Sequence, residues 1–294
     1  MILTTGANGN LGGRVIAHLM KLVGPSGFAV GTRNPDSPFA RELDESGVEV
    51  RRADFDDPSS LPDAFEGIET ALIISTYADN SVRPRQNLNA IEAAKAAGVR
   101  RLVYTSFAGA RADSLAEHSH QVHYPTEQAM IASGMDYTIL RHALYADILV
   151  GDLDETLASG LLRRPGGDAA CAYIARDDLG VSAATVLAGK GHENRIYTET
   201  MEKPLTGAEI AALMSEAFGR QIRYEAVASE AWADYMTQHW GVPAHLARSS
   251  IGTMRAIEQG EFDVRTSDYE AITGHPPQSM ETFLRRVASG RMPS

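Results

Sequence analysis

Three glycines at equal spacing, Gly6, Gly9 and Gly12, follow a short apolar run, Met1 to Leu3. After them Leu11, Val15 and Leu19 form one row, and Ile16, Met20 and Val23 the next, at helical spacing. Strand, glycine turn and helix in that order place unpaired backbone N–H groups and a helix dipole where an anion such as a dinucleotide pyrophosphate can sit. Gly9 is the position where a side chain would intrude on that anion. The pattern is G-x-x-G-x-x-G rather than G-x-G-x-x-G, and a tight strand-to-helix connection uses the same residues without a ligand.

Other residues with chemical potential fall at the ends of expected strands. Arg33 follows the second strand, and no acidic residue occupies positions 28 to 35. An acid there would bind the ribose hydroxyls of NAD, whereas an arginine suits the 2′-phosphate of NADP. Asp54 ends the third strand, Ser75 and Thr76 the fourth, Thr105 and Ser106 the fifth. All five sit at the ligand edge of an α/β sheet, though Ser and Thr also serve as turn and helix caps. His118, His120 and His123 form an H-x-H-x-x-H string without cysteine. That is not the spacing of a helical zinc motif, so no metal is expected. Trp232, Tyr235 and Trp240 either line an aromatic pocket or anchor a core. No G-x-S-x-G or P-loop lysine supports a hydrolase or kinase.

The elements that must position these residues alternate. Strands are expected at 28–32, 48–53, 70–76, 102–106 and 137–141, with helices at 39–46, 59–66, 85–97 and 125–133. Gly47, Gly67, Gly98 and Gly134 stop those helices. With the first strand this makes six strands separated by helices, the pattern of a doubly wound parallel sheet. Beyond Arg141 the rhythm loosens. Helices are expected at 144–158 and 177–188, strands at 195–198 and 222–226, and a T-x-x-E capping box, Thr206 to Glu209, opens another helix. The fold expected is α/β, a Rossmann-type domain over 1–141 and a smaller α+β substrate-binding lobe over 142–294, with segments able to return to the sheet.

Composition excludes several classes of function. Of 294 residues, 38 are acidic and 27 basic, a formal net charge of −11, which disfavours nucleic acid and anionic membranes as partners. Cys171 is the single cysteine, which precludes an intrachain disulfide and suits a reducing compartment. No apolar run reaches a membrane span, and the N-terminus enters the first strand at once. A cytoplasmic protein, monomeric or homodimeric, is expected.

Gly6-Ala7-Asn8-Gly9-Asn10-Leu11-Gly12, Arg33-Asn34, Ala53-Asp54-Phe55, Tyr104-Thr105-Ser106 and Leu140-Arg141-His142-Ala143-Leu144-Tyr145 together resemble the NmrA-like group of atypical short-chain dehydrogenases. Within it the likeness is to bacterial NADPH-dependent quinone oxidoreductases and triphenylmethane dye reductases. The resemblance implies NADP as cofactor and hydride transfer to a quinone-like or conjugated aromatic small molecule. It implies that Gly6, Asn8, Asn10 and Leu11 hold the pyrophosphate and Arg33 the 2′-phosphate. Asp54 and Phe55 would meet the adenine, Ser75 would lie along the cofactor, and Tyr145 beside the nicotinamide. Main-line short-chain dehydrogenases carry Y-x-x-x-K, whose lysine lowers the tyrosine pKa. Here Tyr124 fills the tyrosine position, but Gln128 stands in place of the lysine. A glutamine can hydrogen-bond a nicotinamide ribose but cannot stabilise a phenolate. Tyr124, Gln128 and Tyr145 are the candidate catalytic residues. The alternative is a non-enzymatic NADP(H)-sensing regulator, with an epimerase as a third reading.

Overall fold

In the computed structural model, residues 1–290 are described, so the last four of the expected C-terminal lobe lie outside the described residues. The chain begins β1 (Ile2–Thr5), α1 (Asn10–Leu22), β2 (Phe28–Thr32), α2 (Pro38–Glu45), β3 (Glu49–Arg52) and α3 (Leu61–Phe65). It continues β4 (Thr70–Ile74), α4 (Arg83–Ala96), β5 (Arg101–Phe107), α5 (Tyr124–Ala132) and β6 (Asp136–His142). Then come β7 (Leu144–Tyr145), α6 (Leu153–Ser159), β8 (Leu161–Arg164), β9 (Tyr173–Ile174), α7 (Arg176–Ala188) and β10 (Arg195–Glu199). After α8 (Gly207–Phe218) and β11 (Arg223–Ala226) the rest is helical: α9 (Ser229–His239), α10 (Ala244–Ser249), α11 (Ile251–Glu258), α12 (Asp268–Thr273) and α13 (Met280–Ala288).

The main sheet has seven strands in the order β10-β6-β5-β4-β1-β2-β3. β1 pairs in parallel with both β2 and β4, so the order reverses beside β1 and the switch point of a doubly wound fold lies between β1 and β4. β2 is buried throughout and β4 nearly so, which is why both read as continuous apolar runs, while no residue of edge strand β3 is fully buried.

The chain divides into two compact units. One comprises 1–107, 121–141 and 176–197; the other comprises 108–120, 142–175 and the chain from Thr198 onward. The first is packed around Phe65, Ile73, Leu102 and Tyr104. Its return segment carries α7, which lies against α1. Gly180 is the reason they can approach, since a Cβ there would stand 2.7 Å from Arg14 Cβ, and Arg14 pairs with Asp177 at 2.6 Å. The second unit is packed around Leu162, Met214, Phe283 and Leu284. Its Thr206–Glu209 capping box forms in both directions.

Several local expectations meet a different structure. The helix expected at 144–158 is instead β7, a 3₁₀ turn over Ala146–Val150 and the short α6, because Leu144 and Tyr145 pair with Tyr173 and Ile174. β8 and β9 are too short to carry a periodicity of their own, and the sequence reading missed both. The strand expected at 195–198 is β10, which returns to the main sheet as its seventh strand. The loop expected to hold three histidines ends in a single π-type turn, Ser119–His123, directly before α5.

Candidate active site

The glycine turn follows β1. Gly6 has φ of +67°, and Gly9 N–H donates to Gly6 O at 3.0 Å. Gly12 is the most constrained of the three: a Cβ would lie 2.2 Å from Gly6 O, against 3.3 Å at Gly9. Gly9 is the N-cap of α1 and offers no side-chain cap, and the first turn contains no acidic residue. The N–H groups of that turn are therefore available to an anion. Leu11 is buried, so only its backbone serves the turn, while Asn8, Gly9 and Asn10 are exposed.

Asn8 ties this turn to the loop after β2. Its Oδ1 accepts from Thr32 Oγ1 at 3.3 Å and its Nδ2 donates to Ser37 Oγ at 3.4 Å. Between those two anchors Arg33 is exposed and pairs with no carboxylate among the described residues. An uncompensated guanidinium beside an uncapped helix N-terminus fits a dinucleotide carrying an additional phosphate.

At the end of β3 the resemblance-based expectation needs amending. Asp54 is half-buried and its Oδ1 closes a turn by accepting from Asp56 N at 3.0 Å. Phe55 is only 7% exposed and belongs to the core, so its ring is unavailable to an adenine and only its backbone remains at the edge. Thr76 and Thr105 are braces. Thr76 Oγ1 donates to Gln86 Oε1 at 2.6 Å, and Gln86 Nε2 donates to Asp56 at 2.7 Å, which links the ends of β4 and β3 through α4. Thr105 is buried, and its Oγ1 accepts from Ser75 N at 2.9 Å. Ser75 is half-buried, as Thr76 is, and its hydroxyl accepts from Arg83 Nη2 at 2.9 Å.

Helix α5 presents Tyr124, half-buried, and Gln128, exposed one turn later; neither makes a side-chain hydrogen bond among the described residues. Between them Glu127 is fully buried and holds Arg141 through two bonds, Nε–Oε1 at 2.9 Å and Nη2–Oε2 at 2.6 Å. Ser106 Oγ also donates to Glu127 at 2.5 Å. The Arg141 guanidinium is thus spent on a carboxylate, and the bond to Glu127 holds its pKa above the usual value. Tyr124 has no partner that would stabilise a phenolate.

The second unit holds Tyr145, whose phenol lies 3.3 Å from His142 Nδ1. His142 and Glu199 are the final residues of β6 and β10, both fully buried, with Nε2 and Oε2 3.5 Å apart. Burial pushes the His142 pKa down to about 3. In the same unit Trp232 and Tyr235 stack at 5.0 Å, Trp240 meets Trp232 edge-on, and Arg164 lies 4.5 Å over the Trp232 ring. The chain's own guanidinium fills this aromatic group, and Trp232 is a core anchor rather than a ligand wall. Cys171 is buried, with its thiol pushed up to about 12, and is chemically quiet.

The three histidines go separate ways. His118 faces Thr253 Oγ1 at 3.1 Å, His120 faces Ser114 O at 2.9 Å, and His123 faces Tyr104. Among the described residues no group of three His, Cys, Asp or Glu could hold a metal, and no helix is long and apolar enough to cross a membrane. Arg83, His123, Glu127 and Arg141 escaped the sequence reading as a site, because they lie on different elements with no fixed spacing.

The chain is similar to known proteins over nearly its whole length. The NmrA-like family model matches residues 1–274. The chain belongs to the NmrA-like family. It is 32% identical over 283 residues to quinone oxidoreductase 2 of Escherichia coli (strain K12), covering 95% of this chain and 96% of that protein. The structure of the Citrobacter sp. triphenylmethane reductase complexed with NADP(H) superposes with a TM-score of 0.88 at 34% identity, over 98% of this chain and 99% of the other. The E. coli NADPH-dependent quinone oxidoreductase complexed with NADPH gives 0.89 at 31% identity, over 98% and 99% of the two chains.

Proposed function

We propose that this NmrA-like protein is an NADPH-dependent oxidoreductase that reduces a quinone-like or conjugated aromatic acceptor. The observation that carries the reading is the uncapped N-terminus of α1 behind Gly6 and Gly12, with Arg33 uncompensated on the loop that Asn8 clamps to the same turn. Relatives that match nearly end to end include quinone oxidoreductases and a triphenylmethane reductase complexed with NADP(H), which supports the cofactor and the acceptor class.

NADPH, when bound, supplies a hydride. The chain's contribution is to bind and orient. First-turn N–H groups of α1 hold the pyrophosphate, Arg33 holds the 2′-phosphate, and Ser75 meets the nicotinamide half. Tyr124 and Gln128 line α5 without forming an acid–base pair, since nothing charged supports the phenol and Gln128 donates only neutral hydrogen bonds. A quinone or cationic dye suits such a site. A cationic dye would take the hydride to give a neutral product with no proton needed, and a quinone would take the hydride and then a proton from solvent, so positioning suffices. An alcohol–ketone exchange would need a tuned proton carrier, which α5 lacks.

The test uses NADPH deuterated at C4 with a triphenylmethane dye as acceptor. The reading predicts deuterium bonded to carbon in the leuco product for one of the two C4 diastereomers. Binding of NADPH without turnover of any quinone or dye would contradict it and favour a dinucleotide sensor.

A further inference from the structure

Four polar side chains from four segments, the end of β4, α4, β5 and the turn before α5, close a ring. Arg83 Nη2 donates to Ser75 Oγ at 2.9 Å and lies 3.3 Å from His123 Nε2. His123 Nδ1 is 3.0 Å from the Tyr104 phenol, which donates to Ser75 Oγ at 3.3 Å, and Asn87 Nδ2 donates to the phenol oxygen at 3.3 Å.

Donor and acceptor chemistry fixes every proton in this ring. A guanidinium has no acceptor, so His123 Nε2 must accept, and a second proton there would set two donors face to face. The imidazole is therefore neutral and carries its proton on Nδ1, which donates to Tyr104. The phenol oxygen receives two bonds, from His123 and Asn87, and gives its proton to Ser75. Tyr104 keeps that proton, because full burial pushes its pKa up to about 12. Ser75 Oγ then accepts twice, from Arg83 and Tyr104, and has only its own proton left to offer. Ser75 stands at the end of β4, on the far side of the switch point from β2 and the Arg33 loop. That is the half of the crevice that takes the nicotinamide end of a dinucleotide.

We infer that Arg83 and His123 are positioning residues that make Ser75 an obligate hydrogen-bond donor to an acceptor oxygen on the nicotinamide half of NADPH. The inference rests on the NADPH reading above. It adds a requirement that a single hydroxyl on a strand end would not impose: the ring selects an acceptor, and disturbing it at a distance weakens the same bond.

The experiment has two arms. In the ligand-free protein, ¹⁵N–¹H correlation of the imidazole, assigned by its loss in His123→Phe, should show a neutral ring protonated on Nδ1. A proton on Nε2 would overturn the ring. In the second arm NADPH affinity is titrated for wild type, Ser75→Ala, Arg83→Met and the double variant, with melting temperature recorded for each. Ser75→Ala and Arg83→Met should each weaken binding about tenfold, the size of one lost hydrogen bond. The double variant should be no weaker than Ser75→Ala, and Ser75→Thr should stay near wild type. A further loss on removing Arg83 in the Ser75→Ala background would overturn the positioning role. Should Arg83→Met not fold, Arg83→Lys gives the same comparison through a shorter donor, again with no loss expected beyond Ser75→Ala. Wild-type protein that fails to bind NADPH would refute the functional reading, separately from the tautomer result.

Discussion

At the scale of single residues, charge and space make sharp demands. On the proposed reading Arg33 meets the 2′-phosphate, so Arg33→Ala should weaken NADPH binding by roughly ten- to a hundredfold, the usual size of a charged hydrogen bond. NADH binding should be nearly unchanged, and parallel titrations of the two cofactors check this. Gly12 matters more than Gly9. Gly12→Ala must displace Gly6 O, 2.2 Å from the new Cβ, and should abolish cofactor binding, whereas Gly9→Ala needs only a few tenths of an ångström of adjustment in the free turn. Isothermal titration of both variants with NADPH decides the order. Tyr124→Phe should leave quinone reduction within about twofold of wild type, since the phenol has no partner able to tune it. A collapse of kcat would restore Tyr124 as a proton donor.

At the scale of elements, α5 is held to β5 and β6 by the buried Glu127 and Ser106 with the half-buried Arg141. Removing one partner of a buried pair strands the other, so Arg141→Met should lower stability by about 3–5 kcal/mol. The double change Glu127→Gln with Arg141→Met should recover much of that loss, and urea midpoints read both. None of this was legible in sequence, because Glu127 and Arg141 lie on different elements and their pairing follows only from the fold. What was legible was local: the glycine turn after β1, helix stops at Gly47, Gly98 and Gly134, and the Thr206–Glu209 box. Local signals also misled. The apolar stretch from Leu144 reads as helix, yet β9 claims its first two residues for a strand pair. Phe55 sits beside a site aspartate in sequence, but the side chains of successive residues diverge there and its ring turns into the core.

At the scale of the whole molecule, a return segment far along the chain completes the first unit, as Arg14 and Asp177 show by pairing across 163 positions. Periodicity carries no information about such distant closure, so the six-strand expectation fell one strand short. Stability should also carry the signature of His142. Its folded pKa, about 3, lies below the ordinary value of 6.5, so the unfolded chain binds a proton that the folded chain refuses. Stability is therefore full above about pH 6.5 and falls as pH drops towards 3, by at most about 1.4 kcal/mol per unit from this group. His142→Asn should flatten that part of the unfolding profile, as measured by denaturant midpoints between pH 7 and 4.

The most direct test of the central claim is NADPH consumption by the purified protein across a panel of quinones and triphenylmethane dyes, with NADH run in parallel. The account predicts turnover with kcat/KM for NADPH well above that for NADH, and loss of that preference in Arg33→Ala. Equal use of both cofactors, or tight NADPH binding with no turnover on any acceptor, would contradict it.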